Sequence, residues 1–137
     1  MPRIIGLDVG EKRVGVAVSD ALNITAQGID TIERKNDSVL LEKIRSLVKE
    51  YEVSKIIVGM PLNMNGSKGK SALAIRDFSD KLKHELKIDI ELIDERLTSA
   101  QGERLLIQAD VSRKKRKLAI DKIAAQLILQ TYLDSDV

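Results

Sequence analysis

The 137-residue chain is 43% hydrophobic and 32% charged, the balance of one soluble globular domain, residues 1–137, able to bury its own core. With no cysteine and the single histidine His84, it cannot form disulfides, thiolate or histidine-rich metal sites, or a His-based triad, so any metal is held by oxygen, which favours Mg2+ or Mn2+. The net charge of +2 hides a local excess: without the run Arg113–Lys117 the chain has 18 basic against 21 acidic residues, which marks one basic face for a polyanion.

The segment from Arg3 to Gly10 reads as a strand buried on both faces, ending in one carboxylate and a glycine-flanked turn. Period two puts Ile4, Gly6 and Asp8 on one face and Ile5, Leu7 and Val9 on the other. Asp8 thus stands at the exit of a central strand, where an ionised carboxylate is costly without a positive partner. Either it bonds the backbone of its own turn or it is a metal ligand. Residues 9–13 reverse the chain into a second strand, Val14–Val18, and Ile24–Ile32 reads as a third, interrupted at Gln27-Gly28.

Arg34–Asp37 is a turn in which Asn36 or Asp37 can cap a helix. Leu40, Leu41, Ile44, Leu47, Val48 and Tyr51 recur at helical spacing, which predicts an amphipathic helix over 38–51. Lys55–Met60 is a doubly buried strand stopped by Pro61, completing a right-handed parallel crossover. The polar loop 62–69 precedes a helix with the apolar stripe Ala72, Ile75, Phe78, Leu82 and Leu86. Lys68 and Lys70 at its N-terminus suit a phosphate, although an ordinary strand-to-helix loop explains the same residues.

Ile88–Ile93 forms a fifth strand running into Asp94-Glu95-Arg96, and Thr98–Gln101 has capping-box spacing for a further helix. Asp110–Lys117 reads as a mobile basic connector, and Leu118–Leu133 as a last helix, apolar nearly all round and packed deep. Asp121 in that helix has Ala125 and Leu129 on its face, with the small Ala124 beside them, which allows close approach to the first strand. No apolar run approaches the roughly 18 residues that span a bilayer, and the N-terminus lacks a signal-peptide pattern, so a cytoplasmic protein with no membrane partner is expected.

Parallel strands share their C-terminal rim, so Asp94 and Glu95 end on the edge where Asp8 lies. Consecutive residues face opposite ways, and alternation alone does not decide which of the two points into a shared site. Asp20 ends the antiparallel second strand and belongs near the opposite rim. Three carboxylates from two strands and a late helix suit a two-metal phosphodiesterase with ions about 3.5–4 Å apart. Lys12, Arg13, Arg96 and the basic run Arg113, Lys114, Lys115, Arg116 and Lys117 would hold the phosphate backbone.

Four blocks carry a resemblance: Gly6–Asp20, Val58–Gly66, Asp94–Ser99 and Asp121–Gln130. Together, in this order, they resemble the YqgF/RuvX family of proposed pre-16S rRNA nucleases, relatives of RuvC-type Holliday junction resolvases. The resemblance implies an α/β, RNase H-like fold: a five-stranded mixed sheet of order 3-2-1-4-5, with helices on both faces. It implies metal-dependent trimming of the 5′ end of pre-16S rRNA during ribosome assembly, and an acidic triad on Asp8, Glu95 and Asp121, with Asp94 the alternative to Glu95 as metal ligand. The expected protein is a monomer or weak homodimer.

The resolvase relatives place their second carboxylate in the fourth strand, where this chain has Val58, Gly59 and Met60, so that role moves to the fifth strand. Two other activities fit parts of the pattern, a branched-DNA endonuclease and a catalytically silent RNA-binding factor on the same fold. Asp8-x-Gly10 followed by Gly15 also resembles the first phosphate loop of sugar kinases and actin-like ATPases. Those need two lobes around a nucleotide, and 137 residues supply one.

Overall fold

A computed structural model describes residues 2–10, 12–60, 70–94 and 113–135, with the side chains of 70–72, 94, 113–121 and 135 excepted. Strands β1 (Arg3–Val9), β2 (Arg13–Ser19) and β3 (Ala26–Glu33) are followed by helix α1 (Asp37–Glu50) and strand β4 (Val53–Met60). Helix α2 (Lys70–Leu86), strand β5 (Asp89–Asp94) and helix α3 (Arg113–Ser135) complete the described elements. The five strands form one sheet in the order β3-β2-β1-β4-β5, as expected.

β1 is central because its residues can be buried on both sides. It pairs antiparallel with β2, Asp8 opposite Gly15, and parallel with β4, Leu7 opposite Val58. The crossover through α1 carries the chain past β2 and β1, so β4 lies beside β1 rather than beside β3. β4 in turn pairs parallel with β5, Met60 opposite Asp94. β1, β4 and β5 therefore end at one rim, where β2 also begins and β3 ends.

Period two divides the core as the alternation predicts. Ile5, Leu7 and Val9 pack with Val58, Leu40, Ile44, Ile75, Phe78 and Leu82 beneath α1 and α2. On the opposite face, Ile4, Ala17, Ile57 and Ile93 pack against Ala125, Ile128 and Leu129 of α3. At roughly 1.5–3 kcal/mol per buried large aliphatic side chain, both faces contribute substantially to folding. α1 starts where Asn36 caps it, its side chain accepting from the Ser38 N–H at 2.8 Å.

Two expectations change. Arg113–Lys117 is not a connector but the opening of α3, since an uninterrupted run of good helix formers with no glycine or proline extends the helix N-terminally. Nor is α3 buried all round: Ala124, Ala125, Ile128 and Leu129 are buried, while Thr131 and Asp134 are exposed. One helix lying on one sheet face has one buried stripe. β3 begins at Ala26, after Ile24, and is bulged at Ile29, which lies between Gly28 opposite Ala17 and Asp30 opposite Val16. Thr98–Gln101 lies outside the described residues.

Candidate active site at the strand exit

Asp8 is the penultimate residue of β1, half-buried, on the face that α3 covers. Its partner across the antiparallel ladder is Gly15, and the β4 residue after Val58, which pairs with Leu7, is Gly59. Both glycines are buried. Residues directly opposite in a ladder hold their side chains about 5 Å apart, so a larger residue at Gly15 would stand against the carboxylate. With glycine there, no β2 side chain stands opposite Asp8 in the ladder. The sequence shows both glycines, but only the register reveals that they flank Asp8.

The turn after Asp8 brings basic residues to the same rim. The Gly10 N–H donates to the Arg13 carbonyl at 2.8 Å, closing the reversal between β1 and β2. A Cβ at Gly10 would sit 2.9 Å from that carbonyl oxygen, so the turn needs glycine there. Lys12 is exposed and Arg13 half-buried at the start of β2. Sequence reasoning missed Arg34, which reaches the same turn: its guanidinium donates to the Gly10 carbonyl at 3.0 Å.

α3 crosses the Asp8 face very closely. A Cβ at Gly6 would lie 2.7 Å from the Leu129 Cβ and 3.0 Å from the Ala125 carbonyl oxygen. At Gly28, in the neighbouring part of the same row, a Cβ would lie 3.1 Å from the Lys122 carbonyl oxygen. The C-terminal end of α3 is fixed at the far rim. There the Gln130 Oε1 accepts from the Ala26 N–H at 2.9 Å, and Lys55 donates to the Tyr132 hydroxyl at 2.8 Å and to Glu91 at 3.1 Å. The Tyr132 hydroxyl, and then Glu91, push the Lys55 ammonium pKa upward, so this tie stays charged. The N-terminal portion of α3, which carries Asp121 one residue before Lys122, therefore extends towards the rim where β1, β4 and β5 end.

The remaining candidates divide by strand position. Asp94 closes β5 with the parity of Ile90 and Leu92, which pack on the α1 and α2 face. Ile93, of opposite parity, packs beneath α3 on the face of Asp8. Glu95, Arg96 and Lys68 lie outside the described residues. Lys70 opens α2, and Arg113, Lys114, Lys115, Arg116 and Lys117 form the first turns of α3. Among the described residues no cluster of three or more potential metal-binding side chains occurs, and Asp8 is the triad member whose side chain is described.

Asp20 is set apart from Asp8, as its strand direction predicts. It follows β2 at the opposite rim and closes a turn, its Oδ1 accepting from the Ile24 N–H at 2.7 Å and the Thr25 N–H at 3.3 Å. The Ile24 N–H is the main cause that holds this carboxyl below the usual carboxylate range, partly opposed by burial. His84 lies exposed in the last turn of α2, the end that leads into the start of β5 and so away from Asp8.

Comparison with known proteins places this geometry. The family model described as RuvX, Holliday junction resolvase, matches residues 2–135. A protein of Natranaerobius thermophilus provisionally named a pre-16S rRNA nuclease is 56% identical over 135 residues, covering 98% of this chain and 96% of its own. One of Halothermothrix orenii with the same provisional name is 54% identical over 132 residues, covering 96% and 94%. Among solved structures, Thermus thermophilus RuvC in complex with a Holliday junction substrate aligns with a TM-score of 0.58 at 11% identity, over 93% of this chain and 92% of its own. The Fowlpox virus resolvase in complex with Holliday junction DNA aligns with a TM-score of 0.60 at 14% identity, over 97% of both chains. The two structural likenesses establish the RNase H-like fold of RuvC-type resolvases. Since the family model spans nearly the whole chain and both relatives share more than half their residues with it, the chain belongs to the RuvX family.

Proposed function

We propose that the chain is a cytoplasmic, metal-dependent nuclease that hydrolyses phosphodiester bonds of structured RNA, and that it matures the 5′ end of pre-16S rRNA during ribosome assembly. The observation that carries this reading is Asp8: a half-buried carboxylate at the common exit of three parallel strands, flanked by Gly15 and Gly59 and followed by a basic turn. The provisional names of the two relatives supply the RNA substrate.

The donor chemistry fits a hard cation, since Asp8 offers oxygen and the chain's one histidine lies towards the opposite rim. In this reading Asp8, Glu95 and Asp121 hold Mg2+ or Mn2+; Asp94, the alternative to Glu95, has the strand parity of the α1 and α2 face. When bound, such ions supply Lewis-acid activation of the phosphodiester and its attacking water. Asp8 contributes a negative charge whose attraction for a cation is strengthened by partial removal from solvent. Gly15 and Gly59 keep the side chains of β2 and β4 away from Asp8 in the ladder. Lys12, Arg13, Lys68, Lys70, Arg96 and Arg113–Lys117 neutralise the flanking phosphates and set the strand's register without reading its sequence.

The test is incubation of purified protein with a pre-16S rRNA fragment, a four-way DNA junction and an unstructured strand, each with Mg2+, Mn2+ or EDTA. Cleavage of the RNA is expected with metal and not with EDTA. Asp8→Asn and Asp121→Asn should each lower the rate by more than the roughly 10–100-fold typical of losing a residue that only supports a metal ligand, while binding persists. Cutting that survives both substitutions at the original rate overturns the assignment. The family model's description favours the junction as a second substrate, and preferential cleavage of that DNA would select this activity. Binding of RNA without cleavage under any metal would identify a silent RNA-binding factor.

A further inference from the structure

Arg34 lies just beyond β3, outside the acidic and basic sets already assigned, and joins four parts of the molecule. Its backbone N–H donates to the Lys12 carbonyl at 2.7 Å, extending the β2–β3 ladder one step past the pair Arg13 and Glu33. Its Nη1 donates to the Gly10 carbonyl at 3.0 Å, and its Nε to the Asp37 carboxylate in the first turn of α1 at 3.3 Å. The guanidinium carbon also stands 5.1 Å from the centroid of the ring of Phe78, a buried α2 residue. The side chain is 23% exposed. Only a planar fork can donate in two directions while its face lies on an aromatic ring; an ammonium cannot reproduce that arrangement.

We propose that Arg34 is a positioning residue for the site, a role that rests on the nuclease reading. It fixes the turn between Asp8 and Arg13 from both sides and so sets where Lys12 and Arg13 meet the phosphate relative to the Asp8 carboxylate. Without the side-chain bond to Gly10, the turn loses a tie to β3, while the Gly10-to-Arg13 and Arg34-to-Lys12 backbone bonds remain. Freedom in the turn then has to be lost at each encounter with substrate. Misplacement of about 1 Å costs up to roughly 100-fold in rate.

The experiment compares Arg34→Met, Arg34→Lys and Asp37→Asn in the full chain, by RNA cleavage kinetics and by amide hydrogen exchange. Asp37→Asn removes the ion pair of Arg34 but not its bond to Gly10, so it controls for lost stability. Arg34→Met is expected to lower kcat about 10-fold or more, with a smaller change in KM because Lys12 and Arg13 keep their charges. Amides of residues 10, 12 and 13 should exchange faster than in the parent while those of β4 do not change. Arg34→Lys should recover part of the rate, and Asp37→Asn should retain kcat within about 2-fold. An unchanged kcat in folded Arg34→Met, an equal loss in Asp37→Asn, or unchanged exchange in the turn overturns the proposal. Where the parent protein itself cuts nothing, the nuclease reading fails, and the exchange measurement still decides whether Arg34 holds the turn.

Discussion

Asp8 and Asp20 occupy the ends of adjacent strands, yet antiparallel pairing sends them to opposite rims and to different chemistry. Asp8 exits beside buried glycines and a basic turn. Asp20 is occupied by its own loop, accepting from Ile24 and Thr25 while Asn23 adopts a left-handed backbone with φ 56°. Because folding lowers the Asp20 pKa below its ordinary 3.8, its contribution is fully present above that value and is lost as pH falls through the lower folded pKa. Asp20→Asn is therefore expected to be less stable than the parent at neutral pH, with the difference shrinking in the acid range once Asp20 is itself protonated. Urea denaturation of both proteins at several pH values checks this. A difference that stays constant down to pH 2 would assign the effect to shape rather than to charge. Solvent screening keeps the effect modest.

Strands and helices define the site through one close packing, that of α3 on β1. Gly6→Ala would place a methyl 2.7 Å from the Leu129 Cβ and force the helix outward. Such overpacking costs roughly 1–3 kcal/mol. Because Gln130 and Tyr132 tie the C-terminal end of α3, displacement should be greatest towards its N-terminus and Asp121. The expected result is a lowered denaturation midpoint together with a loss of cleavage that persists when assays are run well below that midpoint. Full activity under those conditions would show that the approach of α3 to Gly6 does not position Asp121. Much of this element-level order was legible in the chain. The alternation in β1 divided Ile4, Gly6 and Asp8 from Ile5, Leu7 and Val9, and the small residues of the last helix announced its packing on the sheet. What could not be read depended on register or tertiary partners. The flanking of Asp8 by Gly15 and Gly59 exists only once three strands pair, and Arg34 looks like any turn residue until Gly10, Asp37 and Phe78 converge on it. The triad of Asp8, Glu95 and Asp121 is a proposal from sequence and resemblance. The extension of α3 through Arg113–Lys117 was hidden because a basic run reads equally as a loop or as a solvated helix.

On the scale of the whole molecule, the largest concentration of charge sits where it opposes helix stability, at the N-terminus of α3. Five cationic residues open the 23-residue α3, and its first turn contains no acidic residue. The positive end of a helix dipole disfavours cations, each by a few tenths of a kcal/mol or more when exposed. The rest of the chain is net acidic, with 18 basic against 21 acidic residues, so the potential of the molecule is polarised towards this helix end. An arrangement that costs stability in the free protein is compensated when a polyanion binds there and releases its counterions. Replacing Arg113, Lys114, Lys115, Arg116 and Lys117 with glutamine should thus leave folding stability unchanged or raise it, while weakening nucleic-acid affinity. The weakening should be similar for unrelated sequences, and the slope of log affinity against log salt should flatten by roughly 0.7 for each phosphate no longer neutralised on a single strand, or 0.9 on a duplex. Titrations at several salt concentrations against two unrelated RNAs and one DNA junction measure both effects. Weakening confined to one sequence, with the salt slope unchanged, would mean that the segment reads bases rather than backbone, and the polarised charge would need a different explanation.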